Sequence, residues 1–577
     1  MRPLAGAGGL LLLAHVPPAA RWLPVLEVLR GPLGVLLAVL ALGVALAGGG
    51  HDRLGPLLRR PVPTLLLFAV GFLLLGRIGD HYTGGIQVSG DEPHYLLMAQ
   101  SLWRDGDLEL RDNKARGEME EYVPGDVAIH WGAPRADGRP FPAHSVGLPA
   151  LLAPVYALGG RRACVLFLAA LGALVALVAR ALAARATGDD GAAMLAWVAA
   201  LGPPAAFYSF HVYTELPSAL ALGGALLLLL RSSRSVVGAM AAAVLASTLP
   251  WLHVKLIPAA AALGVVALAR LEGRARVAFV SAAVVAALGY LAFFYAVFGT
   301  PTPLAVYGGG FPGGLEGHPL RAAVGLLLDR SYGLLPYAPV FVLSLAAVPL
   351  VVRRPLREVW SGALVGVAVL APVLTWRMWW GGQCPPGRFL VPLVPLLAVL
   401  LALRAARDGG SPRGLLRWRA ALLAAGYGIL VIGVLAPGRM LLLGRRSRPS
   451  RLWTALSGEG DLNRYLPTLS HHPDAAAVRV AVLWVVALGV LLLLDALSRS
   501  RPRADRAFGG LALPLALFLL VGAGVDYWAR RGDEGEVSAQ PRATFQPSTR
   551  TAGAVDPRSS AAYVAPSSRL SPGASVT

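Results

Sequence analysis

Two adjacent carboxylates, Asp91 and Glu92, stand in the run Gly90-Asp91-Glu92-Pro93-His94-Tyr95, just after an apolar stretch that reads as a membrane span. Carboxylates at a membrane–water boundary are costly unless they are solvated, paired or used. One use is general-base catalysis. A hydroxyl that attacks an electrophilic carbon must lose its proton, and a positioned carboxylate can take it. Neighbouring residues on a helix point about 100° apart, so only one of the pair faces a reacting atom. Asp91 is the expected base and Glu92 a supporting acid. The same two residues also read as a helix start, with Asp91 as the cap and Glu92 in the first turn. Both readings can hold together.

A third carboxylate, Glu215, lies in Tyr213-Thr214-Glu215-Leu216-Pro217 at the end of another apolar run. It fits a role beside Asp91, and it also fits the acidic first turn of a helix. The matching cations are His253 and Lys255 in Trp251-Leu252-His253-Val254-Lys255, and Arg388 after Trp379-Trp380-Gly381-Gly382. Guanidinium holds a phosphate bidentately, whereas ammonium acts as a point charge. Lys255 and Arg388 are expected to meet an anionic phosphate at headgroup level, and Arg377 belongs with the tryptophans of an interfacial aromatic belt. His144 is expected to donate a hydrogen bond near that phosphate. His144, His253, His318, His471 and His472 do not share a spacing that specifies a metal, which needs three or four converging ligands. No metal or other cofactor is expected to be required.

The elements that must position these residues are membrane helices. The chain has 577 residues, 56% hydrophobic and 15% charged, against roughly 25% charged in soluble proteins. Apolar runs fall near 32–49, 62–79, 163–183, 190–210, 215–230, 236–252, 256–269, 277–298, 336–352, 359–376, 389–403, 418–436, 477–497 and 507–527. Each approaches the ~20 residues that cross a bilayer. The fold class is therefore an all-α polytopic membrane protein of about 12–14 transmembrane helices with a large first outer loop. The piece 147–159 is too short for a span and reads as a helix in the interface. A cleaved signal peptide is not expected, because Arg2 is a weak basic region and spans follow at once.

The net charge of +20 comes from arginines in short loops between these runs. That is the positive-inside pattern, and no basic face interleaved with aromatics suggests nucleic acid. Placing the arginine loops in the cytoplasm puts segments 80–160, 299–335, 377–388, 437–475 and 528–577 outside, together with all the candidate residues above. Cys164 and Cys384 are the two cysteines and read as small buried apolar residues. The expected organisation is an N-terminal membrane extension (1–61), a catalytic membrane core (62–405) with outer loop 80–160, C-terminal transmembrane helices (406–530) with outer loop 437–475, and a disordered tail (531–577) rich in Pro, Ser, Ala and Thr.

Asp91-Glu92-x-x-Tyr95 resembles the Asp-Glu-x-x-aromatic signature of GT-C glycosyltransferases, nearest to protein O-mannosyltransferases and the lipid A aminoarabinose transferase. His144-x-x-Gly147-Leu148-Pro149 is similar to the end of that family's first outer loop, with Ser145-Val146 where a Pro-Pro is usual. Thr214-Glu215-x-Pro217 is similar to its second acidic site. The segments Leu249–Lys255, Tyr332–Pro339, Trp379–Gly382 and Arg388–Pro392 look like others in bacterial members. The resemblance covers residues from about 60 to 400 in order. It implies a polyprenyl-phosphate-linked monosaccharide donor, transfer with inversion to a lipid, glycan or protein acceptor, and a site on the outer face of a bacterial plasma membrane. The alternatives are an envelope polysaccharide ligase or polymerase, or a transporter or flippase, which would need polar groups near the midplane.

Overall fold

The computed structural model describes residues 9–40, 62–85, 88–123, 127–310, 314–353, 357–407, 413–444, 448–470, 473–498 and 512–535. The expected span 32–49 is described only to residue 40, His471 and His472 lie outside the described residues, and the expected disordered tail lies outside them from 536 onward. Among the described residues there is no β-strand, only an isolated antiparallel bridge between Trp131 and Pro142. In hydrocarbon a backbone must satisfy its own polar groups, so a chain of apolar runs folds as helices.

The principal helices are α1 (Thr64–Gly84), α2 (Glu92–Arg104), α3 (Gly147–Thr187), α4 (Asp190–Leu201), α5 (Glu215–Arg231), α6 (Val236–Leu252), α7 (Ile257–Arg270) and α8 (Gly273–Phe298). They continue as α9 (Pro319–Leu328), α10 (Val342–Arg353), α11 (Arg357–Thr375), α12 (Val394–Ala406), α13 (Arg413–Leu435), α14 (Ala475–Ser498) and α15 (Ala512–Gly535). Among the described residues, five helical stretches are long and apolar enough to cross a membrane: α1, α3, α8, Arg388–Ala406 and Ala475–Ala496. The chain is an all-helical, multi-pass membrane protein.

The helices follow the apolar runs closely, with two informative departures. The piece 147–159 and the run 163–183 join as α3, but Gly159 (φ −178°, ψ 32°) and Gly160 (φ 57°) break the helix between them. The run at 190–210 stops helically at Leu201, because Gly202-Pro203-Pro204 follows and proline cannot continue a helix. The chain then runs through a short 3-10 turn (Ala205–Ser209) to Glu215. That irregular stretch is fully buried and carries Tyr208, His211 and Tyr213 into the core.

α3 is the central element and packs against α1, α2, α4, α5 and α12. Small residues permit the close approach: a Cβ at Gly79 on α1 would stand 2.8 Å from Val165, and one at Gly172 on α3 would stand 2.8 Å from Leu75. α8 and α14 are mostly exposed along their apolar length, as lipid-facing helices are.

The acidic first loop largely neutralises itself. Arg116 pairs with Asp105, Asp112 and Glu118, and Arg104 also reaches Glu118. The late loop is tied to two other regions. The backbone N–H of Val25 and the hydroxyl of Tyr465 both donate to Asp526. Buried Asp329, at the end of α9, accepts from the N–H groups of Ser331 (2.8 Å), Tyr332 (3.1 Å), Leu469 (2.6 Å) and Ser470 (3.2 Å). One carboxylate thus clamps the turn after α9 to the chain at 469–470. Asp329→Ala leaves four N–H groups without this partner and is expected to cost about 2–5 kcal/mol. Asp329→Asn keeps one acceptor oxygen and should fall between it and wild type. Thermal melts of the detergent-solubilised protein check that order.

Candidate active site

Asp91 occupies the cap position of α2 but makes no capping hydrogen bond. The helix-cap reading of its side chain is therefore incorrect here. Its carboxylate Oδ2 instead accepts from Nη2 of Arg388 at 2.6 Å, across 297 residues of sequence. Arg388 reaches further. Its Nε donates to Glu215 Oε1 at 3.0 Å and its Nη1 to the Gly381 carbonyl at 2.6 Å. Lys255 Nζ donates to the same Glu215 oxygen at 3.4 Å. Two carboxylates and two cations therefore form one connected, locally neutral network.

Aromatic faces hold both cations in place. Lys255 Nζ lies 3.8 Å from the centre of the Phe389 ring, and the Arg388 guanidinium lies 4.6 Å from that of Tyr213. Glu215 and Lys255 are 1% and 4% exposed at the side chain, whereas Asp91 is 24% exposed. Asp91 is thus the carboxylate of the network that an incoming group can reach. Burial alone would raise its pKa, but the Arg388 guanidinium outweighs this and holds the carboxyl well below the usual carboxylate range. Burial lowers Lys255 to about 8 against the pull of Glu215.

Glu92 faces the other way. Its Oε1 is 2.9 Å from Nδ1 of His211 and its Oε2 accepts from the N–H of Val212 at 2.8 Å. It ties the start of α2 to the irregular stretch before Glu215. His253 accepts from the Lys255 N–H at 3.2 Å and so shapes the turn that presents the lysine. His144 joins His94 and His130 in a stack of rings on the Asp91 side. Burial lowers His94 to about 3 and His144 to about 4, so both are neutral imidazoles at neutral pH. Arg377 and the buried Trp379 flank the segment, Trp379 beneath Gly325 of α9.

Among the residues expected from sequence, the structure brings together Asp91, Glu215, Lys255 and Arg388, with His144 and His253 at the edge and Glu92 turned away. Sequence reasoning missed His211, Tyr213, His94 and His130. A histidine and a tyrosine in the aromatic run before Thr214-Glu215 were a signal for the first two. For the others there was no local signal, since a 13-residue gap separates His130 from His144. The bridge at Trp131–Pro142, with the Ala143 N–H on the His130 carbonyl at 2.8 Å, folds that gap back on itself.

Beside His144 lies a narrow apolar cleft, open on one side and lined by Phe141, Trp251, Tyr290, Phe294, Val306 and Tyr307. It lies between the first long loop and α8.

No protein-family model and no curated protein matches the sequence. Among solved structures, the chain is similar to ArnT from Cupriavidus metallidurans bound to undecaprenyl phosphate, at 17% identity and a TM-score of 0.44 over 82% of this chain and 79% of that one. The apo form of the same protein gives 17% identity and 0.41 over 80% and 77%. The Archaeoglobus fulgidus oligosaccharyltransferase gives 13% and 0.26 over 83% and 53%. At these values the activity has to be read from the site.

The backbone that presents Asp91 is specified by one glycine. Gly90 has φ +65°, and a Cβ there would stand 2.2 Å from the Gln383 carbonyl oxygen and 2.3 Å from the Tyr213 hydroxyl. Gly90→Ala is expected to destabilise the protein by about 1–3 kcal/mol through left-handed strain and overpacking. Gly84→Ala, where a Cβ meets open space, should be near neutral. The difference in melting temperature between the two variants is the measurement.

Proposed function

We propose that this chain is a GT-C glycosyltransferase that moves a monosaccharide from a polyprenyl-phosphate donor to a hydroxyl acceptor at the outer face of a bacterial plasma membrane. The observation that carries the reading is the Asp91–Arg388–Glu215–Lys255 network, open to approach at Asp91, with an apolar cleft against nearby His144. The ordered motifs from Asp91 to Arg388 support it independently.

In this reading the donor's single phosphodiester charge enters a neutral network. A phosphate oxygen competes with Asp91 for Nη2 of Arg388 and draws on Lys255, while Glu215 keeps both cations in place. The first isoprene units of the lipid run along the aromatic side chains of the open cleft beside α8. Asp91, released from Arg388, regains basicity because the charge that depressed its pKa now serves the phosphate. The acceptor oxygen attacks the anomeric carbon from the face opposite the phosphate. Its proton passes to Asp91. The bond from that carbon to the phosphate oxygen breaks, and its electron pair leaves with the polyprenyl phosphate, where Arg388 and Lys255 stabilise it. One displacement inverts the anomeric centre. The chemistry asks the protein for orientation and charge rather than for a covalent nucleophile. Glu92 and His253 act as positioning residues.

The test uses a labelled polyprenyl-phosphate monosaccharide with cell-envelope fractions as the acceptor pool. Asp91→Asn is expected to lose roughly 10²–10⁴ in turnover with the fold retained. Arg388→Lys keeps the charge but not the fork, and should raise the donor KM about tenfold or more. Full turnover in Asp91→Asn at wild-type expression would remove Asp91 as the base. An unchanged donor KM in Arg388→Lys would remove the phosphate role of the guanidinium.

A further inference from the structure

His94, His130 and His144 form a cluster that the transfer reaction does not use. Each offers one ring nitrogen, and the three atoms lie within 4.8 Å of one another. His130 Nδ1 and His144 Nε2 stand 3.2 Å apart. A tetrahedral ion with nitrogen ligands at 2.0–2.1 Å sets its ligand atoms about 3.3 Å apart, so this pair is already at coordination spacing. The longest separation has to close by about 1.5 Å, within the reach of side-chain rotation.

His94 supplies the second observation. It is 1% exposed, and its Nε2 lies 3.2 Å from the Ala128 carbonyl, to which it can only donate. Nδ1 is then the lone-pair nitrogen, and it is buried without a hydrogen-bond partner. A buried acceptor left unsatisfied costs about 1–3 kcal/mol. Ring stacking and the His130–His144 hydrogen bond leave that cost in place. A cation facing Nδ1 removes it. The Ala128 carbonyl is also the kind of outer partner that fixes ring orientation in histidine metal sites.

We propose that His94, His130 and His144 bind a divalent transition-metal ion of the zinc class. Three imidazole ligands suit zinc, copper, iron or nickel and not magnesium or calcium, which prefer oxygen. Three protein ligands leave a fourth position for water. The cluster is graded from buried His94 through half-buried His144 to exposed His130, so the ion can enter from solvent. The His94–His130 stack, with centroids 4.0 Å apart, opens slightly as the ion enters. Bound there, the ion staples the loop around 128–144 to the first turn of α2, one residue triplet beyond Asp91. It holds the outer wall of the site and is not a catalytic group in the displacement.

The proposal is independent of the sugar-transfer reading, and so is its test. Full-length protein purified on a histidine-free tag is stripped with chelator, titrated with Zn²⁺, and assayed for bound metal and melting temperature. The expected result is about one tightly held zinc per chain, with a rise in melting temperature by mass action. His130→Ala, with its metal-free melting temperature measured alongside to confirm the fold, should weaken zinc by at least roughly 100-fold, beyond the 10–100-fold typical of losing an outer partner. Co²⁺ in the wild type should show the visible bands of a tetrahedral site, absent from His130→Ala. Zinc affinity equal in wild type and His130→Ala, or a featureless Co²⁺ spectrum in both, would overturn the proposal.

Discussion

The guanidinium of Arg388 is the interaction on which the site depends. It bonds Asp91, Glu215 and the Gly381 carbonyl at once, at 2.6, 3.0 and 2.6 Å. A buried ion pair is stable only if its geometry is good and its remaining donors and acceptors are met. Here Lys255 supplies the second positive charge for Glu215, and Tyr213 and Phe389 supply faces for the cations. Four separate chain regions, around Asp91, Glu215, Lys255 and Arg388, must therefore fold together before any one of these charges is tolerable inside the protein. Removing Arg388 outright would leave Glu215 facing Lys255 alone and Asp91 without its counter-ion.

The surrounding backbone is shaped around that guanidinium. Gly381, at φ +84°, lets its carbonyl face Arg388, and a Cβ there would stand 2.8 Å from the arginine's Cδ. Gly90 does the same for Asp91. The Gly-Pro-Pro break after α4 replaces a helix by a buried irregular strip, which delivers His211 to Glu92 and Tyr213 to Arg388. The irregular backbone at this depth is enclosed by protein rather than facing lipid, the condition under which it is tolerated in membranes.

Much of this was legible beforehand. The apolar runs located most of the helices, the run at 190–210 being the main exception, since hydrocarbon leaves a chain little choice. Arginine position placed Asp91, Glu215, Lys255 and Arg388 in one compartment. Pairing was not legible: nothing local says that Arg388 touches Asp91 across 297 residues. Asp91 also matched a helix cap, and only the three-dimensional position of Arg388 shows that its carboxylate is drawn elsewhere. His94 was read past as part of a motif, and His130 lacked any local signal, because the fold-back at Trp131–Pro142 is a long loop without strand patterning.

The central claim is that Arg388 exchanges Asp91 for the lipid phosphate. The most direct measurement is the Asp91 carboxyl titration, read as the infrared difference between wild type and Asp91→Asn, with and without bound polyprenyl phosphate. The exchange predicts an Asp91 pKa well below the ordinary range in the free protein, rising by about one unit or more when the lipid phosphate binds. An Asp91 titration unmoved by saturating polyprenyl phosphate would contradict it.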